Sequence, residues 1–246
     1  MNAPEAYVQW INHHLGFNPR SQANSNALSE FVIADLRQSC PAMAIDLDAK
    51  ALIPKPNADI RTRAACRNVD LVFLETDSLL PRATIENKTI MTAHGKARLN
   101  RYGDLIAYCN HVHNHRPNCV AAAILIVNCS PAYENPDAFA KGLLRPKSDM
   151  NKIVRDTVRI FEDVPLRTSP NEPNDQPEAV AVIVVDYDGA HPAKLAYGEL
   201  APQPGSPIHY TSFIGRMCEL YCARFGAPTL GLTPLTAPTS LEVSSP

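Results

Sequence analysis

The sequence lacks a surplus of charge of either sign. Its 246 residues include 23 Lys and Arg against 25 Asp and Glu, which gives a formal net charge of −2. Because attraction to nucleic-acid phosphates normally appears as an excess of Lys and Arg, the composition gives no global sign of nucleic-acid binding. Any surface that binds DNA must therefore be local.

Long hydrophobic runs are also missing. The longest apolar stretches, residues 120–127 and 179–185, are far shorter than the roughly 20 residues that a membrane helix needs. Residues 1–20 show no basic start followed by an apolar run, which predicts that the chain carries no secretory signal. We therefore expect a soluble protein that does not engage a membrane.

Cysteine is present, but without the pattern of a disulfide framework. The seven cysteines are odd in number and scattered, at positions 40, 66, 109, 119, 129, 218 and 222. In a chain of this size such a distribution favours free thiols over disulfides. The sequence thus predicts a reducing, cytoplasmic environment.

The length and the 45% hydrophobic content are sufficient for one domain with a full core. We place that domain at residues 1–226. Residues 227–246 are rich in Pro, Thr and Ser, a composition that predicts a disordered tail whose role the sequence does not reveal.

Periodicity predicts alternating helices and strands. Val8, Ile11 and Leu15 indicate one helix, and apolar residues from Leu28 to Leu36 indicate a second, capped by Ser25 or Asn26 and ended before Pro41. Residues 41–65 are expected to form an irregular loop with at most one short strand, and residues 165–178 a surface loop. The remaining predicted elements are antiparallel strands at 69–74 and 83–90, buried strands at 120–127 and 179–185, and helices at 96–115, 149–161 and 212–225. The fold class predicted is α/β, with a central mixed β-sheet flanked by helices.

Charged residues interrupt the two antiparallel strands. Glu86 and Lys88 are two residues apart, so they project from the same face of a strand. Asp70 breaks a run of five apolar residues, and burying its charge without a partner costs several kcal/mol. If the strands pair, Asp70 and Glu86 converge on one divalent ion of the Mg²⁺ type, which takes oxygen ligands and keeps several waters. Lys88 then orients the attacking water or stabilises the pentavalent phosphate.

Other interpretations of these residues remain open. Asp70 could lie at a strand end, with Glu86 and Lys88 in a solvated cross-strand charge group. Glu75 and Asp77 compete for the place of the first acid, but they fall where turn residues are expected. Asp70 is the preferred candidate.

This order of helix, strand with Asp, strand with Glu-x-Lys, helix and strand resembles the PD-(D/E)xK nuclease superfamily, which includes many type II restriction endonucleases and DNA-repair nucleases. The resemblance covers residues 28–127, with a C-terminal elaboration at 148–225, and Val69 replaces the proline of the motif. It implies an αβββαβ core in which Asp70 and Glu86 bind the metal and Lys88 is catalytic. It also implies Mg²⁺ as cofactor, with Mn²⁺ able to substitute, double-stranded DNA as substrate, and a homodimer.

Many members of that superfamily take a further acid from the helix before the sheet. Two residues of this chain are candidates. Glu30 has the usual distance from the first strand acid, whereas Asp35 lies on the apolar face of the helix. The alternatives are a surface charge for Glu30 and a capping or partnered carboxylate for Asp35.

A basic segment follows the second strand. His94, Lys96, Arg98 and Arg101 occur with no acid between Glu86 and Asp104, which is suited to holding the DNA backbone; a solvated helix face is the alternative. The segment lacks the Gln-xxx-Tyr pattern of RecB-like exonucleases, and this favours a restriction-type enzyme. A second basic group allows the same two interpretations, and its members are Lys141, Arg145, Lys147, Lys152, Arg155 and Arg159.

Histidine and cysteine are concentrated in one short segment. Cys109, His111, His113, His115 and Cys119 fall within eleven residues, a density that could bind structural zinc. Against this, the segment has no Cys-x-x-Cys pair, and histidines near a helix C-terminus are favoured by the helix dipole.

These observations lead to one principal functional hypothesis, a metal-dependent endodeoxyribonuclease of the type II restriction class. A structure-directed or repair nuclease of the same fold is one alternative. A non-catalytic DNA-binding or assembly subunit is another. The recognition sequence and the cut position depend on loops that the sequence does not define.

Overall fold

The computed structural model describes residues 1–14, 18, 21–62, 65–134, 137, 140–142 and 149–226. Its strands are β1 (Leu52–Arg61), β2 (Cys66–Glu75), β3 (Pro81–Ile90), β4 (Val120–Asn128), β5 (Ala179–Asp186) and β6 (Lys194–Leu195). Its helices are α1 (Ala3–His13), α2 (Gln22–Ser39), α3 (Pro41–Asp48), α4 (His94–His115), α5 (Pro131–Glu134), α6 (Met150–Glu162) and α7 (Tyr210–Phe225), with a 3-10 turn at Gly198–Leu200. Among the described residues, no helix is both long and apolar enough to cross a membrane.

The six strands form one mixed sheet in the order β1 to β6. β1, β2 and β3 are antiparallel neighbours, β3, β4 and β5 run parallel, and β6 pairs antiparallel with β5. All nine residues of β4 are buried, as expected for a parallel strand that is covered on both faces. The predicted α/β class and the antiparallel pairing of β2 with β3 are confirmed.

Successive residues of a strand pack alternately into two separate hydrophobic cores. Leu71 and Phe73 of β2 pack in the core formed with α1, α2, α3 and α7. Val72, between them, packs in the core formed with α4 and α6. The period-two alternation of strand side chains thus distributes the apolar residues between the two helical layers.

The prediction of an irregular loop at residues 41–65 is wrong. Pro41 is the first residue of α3, a position where proline's fixed φ suits a helix and its missing N–H is not needed. Pro54 and Pro56 lie within β1, which is tolerated because β1 is an edge strand of the sheet. Prolines that suggested a loop therefore mark a helix start and a sheet edge.

The start of α2 also differs from the prediction. Ser21 is the N-cap and accepts a hydrogen bond from the Asn24 backbone N–H, whereas Ser25 and Asn26, the predicted caps, lie inside the helix. The apolar periodicity begins only at Leu28, so it does not reveal that the polar residues from Gln22 onward already form the start of the helix. That turn faces the cleft described below.

Two further expectations are corrected by burial and covalent structure. The segment 165–178 is not simply a surface loop, because Arg167 and Glu178 are fully buried in an ionic network. Cys40 and Cys218 form a disulfide, contrary to the prediction of free thiols. The predicted tail at 227–246 and the residues Leu15, Arg145 and Lys147 lie outside the described residues.

Candidate active site

The candidate site lies where β2 and β3 separate. Their ladder ends at the pair Leu71↔Ile85, so the next residues, Asp70 and Glu86, are no longer joined by backbone hydrogen bonds. On the other side of β2, the β1 register passes from Pro56↔Leu71 to Ala58↔Val69 and skips Asp70. Asn57, opposite this gap, has a left-handed φ of 52°. Asp70 therefore stands at an irregularity on both of its edges, where the sheet opens.

The carboxylate of Asp70 links β2 to β3 and to α2 at the point where the two strands no longer pair through their backbones. Its Oδ2 accepts the backbone N–H of Asn87 at 2.8 Å, and its Oδ1 accepts the hydroxyl of Ser25 at 2.7 Å. One bond comes from β3 and the other from α2. These two hydrogen bonds, one on each carboxylate oxygen, fix the orientation of the Asp70 side chain.

Lys88 joins the two predicted acids. Its Nζ lies 2.6 Å from Glu86 Oε1 and 3.7 Å from Asp70 Oδ2. The structure therefore brings together the three residues that the sequence singled out. Glu86 has an exposed side-chain fraction of 4%, while that of Lys88 is 26%, so the ammonium group lies between a buried acid and the opening of the cleft.

Arg67 is a member of the site that the sequence did not suggest. Its Nη2 donates to Glu86 Oε1 at 3.1 Å, and its guanidinium lies over the ring of Tyr108, 5.6 Å from the centroid. Burial raises the pKa of Tyr108 well above its usual value, so this ring stays neutral. A signal existed in principle, since a buried glutamate beside an aspartate requires more cationic partners than one lysine supplies.

Two buried oxygen atoms of the site have no hydrogen-bond partner. They are Glu86 Oε2 and Asn87 Oδ1. Leaving a buried acceptor unpaired costs about 1–3 kcal/mol, and more for a charged group. Because hard divalent cations bind carboxylate oxygens, the Asp70 carboxylate and the unpaired Glu86 Oε2 form a donor set that fits Mg²⁺. Asn87 is adjacent to Glu86 on β3 and projects from the opposite face, so it is not part of that set.

Neither candidate for a third acid lies at the site. Glu30 is exposed and does not line the cleft. Asp35 is about 15 Å further along the α2 axis than Ser25, where it accepts hydrogen bonds from the Ala3 backbone N–H at 2.7 Å and from Tyr210 Oη at 2.8 Å. The helix presents serines instead: Ser25 contacts Asp70, and Ser29 Oγ accepts from Asn87 Nδ2 at 3.0 Å.

The site opens into a cleft of about 530 Å³. Its walls are mainly amide and hydroxyl side chains around the charged Asp70, Lys88 and Arg101. A second cavity of about 360 Å³ shares Thr89 and Arg101 with the first and extends the cleft toward Tyr133. Arg101 therefore lies where the two meet, and it is held by Asp104 Oδ2 at 2.7 Å and by the Thr89 carbonyl at 3.4 Å.

The other predicted DNA contacts are placed differently. Lys96 is exposed, and Arg98 pairs with Asp156 of α6 at 3.8 Å. His94 is 1% exposed and its Nε2 donates to the Asn128 carbonyl at 2.6 Å, so its predicted contact with DNA is wrong. As the first residue of α4, its side chain is turned against the end of β4 rather than outward.

The second basic group is partly neutralised. Lys152 pairs with Asp156 at 2.7 Å, and Arg155 lies 3.7 Å from Glu199. Lys141 is exposed. These contacts agree with the solvated face of a helix.

The His and Cys segment does not assemble a zinc site in the structure. His113 donates to Glu178 at 2.9 Å, His111 donates to the Ile60 carbonyl at 2.8 Å, and burial raises the pKa of Cys119 to about 12, which keeps it a thiol. In the described part of the chain, three possible ligand atoms within 4.8 Å of one another occur elsewhere, at Cys40, Cys218 and Cys222.

The chain matches no family model, and no curated protein or solved structure shows significant similarity to it.

Proposed function

We propose that the protein is a Mg²⁺-dependent endodeoxyribonuclease that hydrolyses phosphodiester bonds in double-stranded DNA, of the type II restriction class. The observation that carries the proposal is the meeting of Asp70, Glu86 and Lys88 where β2 and β3 separate. A resemblance to the PD-(D/E)xK pattern led to the same residues. The chemistry of the cleft supports hydrolysis independently of that resemblance.

In the proposed mechanism, Asp70 and Glu86 would hold the cation through their carboxylates. Such an ion would supply Lewis-acid chemistry, which lowers the pKa of a water and offsets charge that develops on the phosphate. Lys88 donates from its ammonium group to the attacking water or to a phosphate oxygen. Arg67 donates a hydrogen bond to Glu86, and Ser25 donates one to Asp70, so Arg67 and Ser25 act as positioning residues.

The DNA backbone would run along the joined cavities. Arg101 lies at their junction and has its guanidinium fixed by Asp104, which suits it to bind a phosphate next to the scissile one. Lys96 adds an exposed positive charge at the start of α4. With one active centre in each chain, a homodimer would allow both strands to be cut.

The decisive experiment is cleavage of plasmid and phage DNA by the purified protein, with Mg²⁺ and with a chelator. We expect discrete products that require the metal. Lys88→Ala should lower the cleavage rate by at least about 100-fold, the scale found for loss of one group that stabilises transition-state charge. Lys152→Ala, which removes an exposed lysine from an ion pair on α6, is the matched control and should leave the rate unchanged.

Other outcomes would change the assignment. Full activity of Lys88→Ala would contradict the proposal. Nicking confined to branched or single-stranded DNA would indicate a repair nuclease, and metal-dependent DNA binding without cleavage would indicate a non-catalytic subunit. Calorimetric titration with Mg²⁺ or Mn²⁺ gives a readout besides activity, since binding should be lost in Asp70→Asn.

A further inference from the structure

Three cysteines meet at the junction of three helices, away from the candidate active site. Cys40 ends α2 and is the N-cap of α3, while Cys218 and Cys222 are one turn apart on α7. The three sulfur atoms lie within 4.8 Å of one another. Cys40 is buried and Cys222 is exposed, so the group extends from the core to the surface.

The spacing of two of these sulfurs matches that of a metal site. Cys218 Sγ and Cys222 Sγ are 3.8 Å apart. Zinc binds thiolates at about 2.3 Å with tetrahedral geometry, which places neighbouring sulfurs about 3.8 Å from each other. The rigid i, i+4 spacing on α7 thus holds two ligands at the separation that one zinc ion requires.

We propose that the reduced protein binds one zinc ion through Cys40, Cys218 and Cys222. In the oxidised state Cys40 and Cys218 are joined by a disulfide, which excludes the metal. Reduction takes two electrons and two protons from a dithiol, which itself becomes a disulfide, and yields two thiols. Zinc then displaces the protons of the three thiols to solvent and forms three Zn–S bonds, with a water in the fourth position beside the exposed Cys222.

Either bond keeps α7 attached to the junction of α2 and α3. The disulfide does so under oxidising conditions and the metal does so under reducing conditions. The group therefore provides a cross-link between the same elements in both environments. Helix α2 also carries Ser25, which contacts Asp70 in the candidate active site. The zinc proposal nevertheless does not depend on the proposed nuclease activity.

The test uses the full chain, reduced with a phosphine that does not bind zinc tightly and kept free of oxygen. Titration with Cd²⁺ should give a thiolate-to-metal charge-transfer absorption that saturates at one ion per chain, and Zn²⁺ should displace it. Cys222→Ser should weaken binding roughly 100-fold or more, since it removes one of three thiolates. Cys66→Ser, which changes an exposed free cysteine on β2, is the matched control and should bind as the parent protein does.

A second measurement keeps the proposal falsifiable without any variant. The untreated, disulfide-bonded protein should bind less than one tenth as much Cd²⁺ as the reduced protein. Equal binding by Cys222→Ser and the parent protein would overturn the proposal, and so would a reduced protein that gives no charge-transfer absorption.

Discussion

Two buried glutamates, one in the sheet and one immediately before a strand of it, are surrounded by cations in different ways. Glu86 of β3 receives Arg67 and Lys88 on one carboxylate oxygen, and its other oxygen, Oε2, is buried without a partner. Glu178, next to the first residue of β5, has partners on both oxygens. The two residues have nearly the same exposure, 3% and 0%, so burial alone does not separate them.

The hydrogen bonds of Glu178 are complete. Oε1 accepts from Arg167 Nη1 at 3.2 Å and from Arg224 Nη1 at 2.8 Å, while Oε2 accepts from the Ala121 backbone N–H at 2.8 Å and from His113 at 2.9 Å. Four donors fill the capacity of the carboxylate. This network joins α4, α7 and the segment before β5, and it leaves no oxygen for a ligand.

The difference indicates which cluster is structural and which can do chemistry. A carboxylate with every acceptor site filled contributes to the fold, but it cannot bind a metal without losing a bond. A carboxylate with an unpaired buried oxygen costs stability in the folded chain, a cost that functional sites commonly carry. We therefore expect substitutions at the two glutamates to have opposite signatures.

The largest effect on stability is expected for Glu178→Gln. The change leaves Arg167 and Arg224 without their buried counter-charge, and breaking such a pair costs about 3–5 kcal/mol. Urea unfolding followed by circular dichroism measures the loss. Glu86→Gln is the comparison variant: its two cationic partners are each 26% exposed and its Oε2 has no bond to lose, so we expect a smaller loss of about 1–3 kcal/mol.

Equal losses in the two variants would contradict the distinction. It would mean that Glu86, despite its unpaired Oε2, stabilises the folded protein as much as Glu178 does.

A smaller effect is expected at Ser25, which belongs to the incomplete cluster. Ser25→Ala removes the hydroxyl that donates to Asp70 Oδ1, a bond with a net contribution of about 0.5–1.5 kcal/mol. We expect Mg²⁺ or Mn²⁺ affinity, measured by calorimetry, to fall roughly 3- to 10-fold. Ser29→Ala is the matched control, because Ser29 contacts Asn87 and not Asp70. Unchanged affinity in Ser25→Ala would remove Ser25 from the site.

The same comparison shows what the sequence could and could not predict. The grouping of Asp70, Glu86 and Lys88 is predictable because residues two apart share one face of a strand, which is a local rule. Ser25 cannot be predicted in the same way, because it reaches Asp70 only through the packing of α2 against the sheet. Arg67 could be predicted only as an additional cation for Glu86, because its position is set by the pairing of β2 with β3. The burial of Glu178 and Arg167 cannot be predicted from the loop-like composition of their segment, because the partners of Glu178 include residues of α4 and α7.

The smallest effect is expected at a third charged cluster, which is only partly buried. Arg82 Nη2 lies 2.6 Å from Glu75 Oε1, and its Nη1 lies 2.9 Å from Asp46 Oδ2. The Ser78 hydroxyl, and then Arg82, lower the pKa of Glu75 to about 2. A carboxyl with a lowered pKa adds stability that is fully present above its unfolded pKa of about 4.3 and disappears as the pH falls through the folded value.

Glu75→Gln should therefore lower the free energy of unfolding by less than about 1 kcal/mol at neutral pH, because solvent screens this cluster. The difference from the parent protein should shrink between about pH 5 and about pH 2, where the native carboxyl becomes protonated as well. Urea unfolding at a series of pH values measures both quantities. A difference that stays constant down to about pH 3 would contradict the lowered pKa of Glu75, because both the Ser78 hydrogen bond and the Arg82 charge act on the ionised carboxyl.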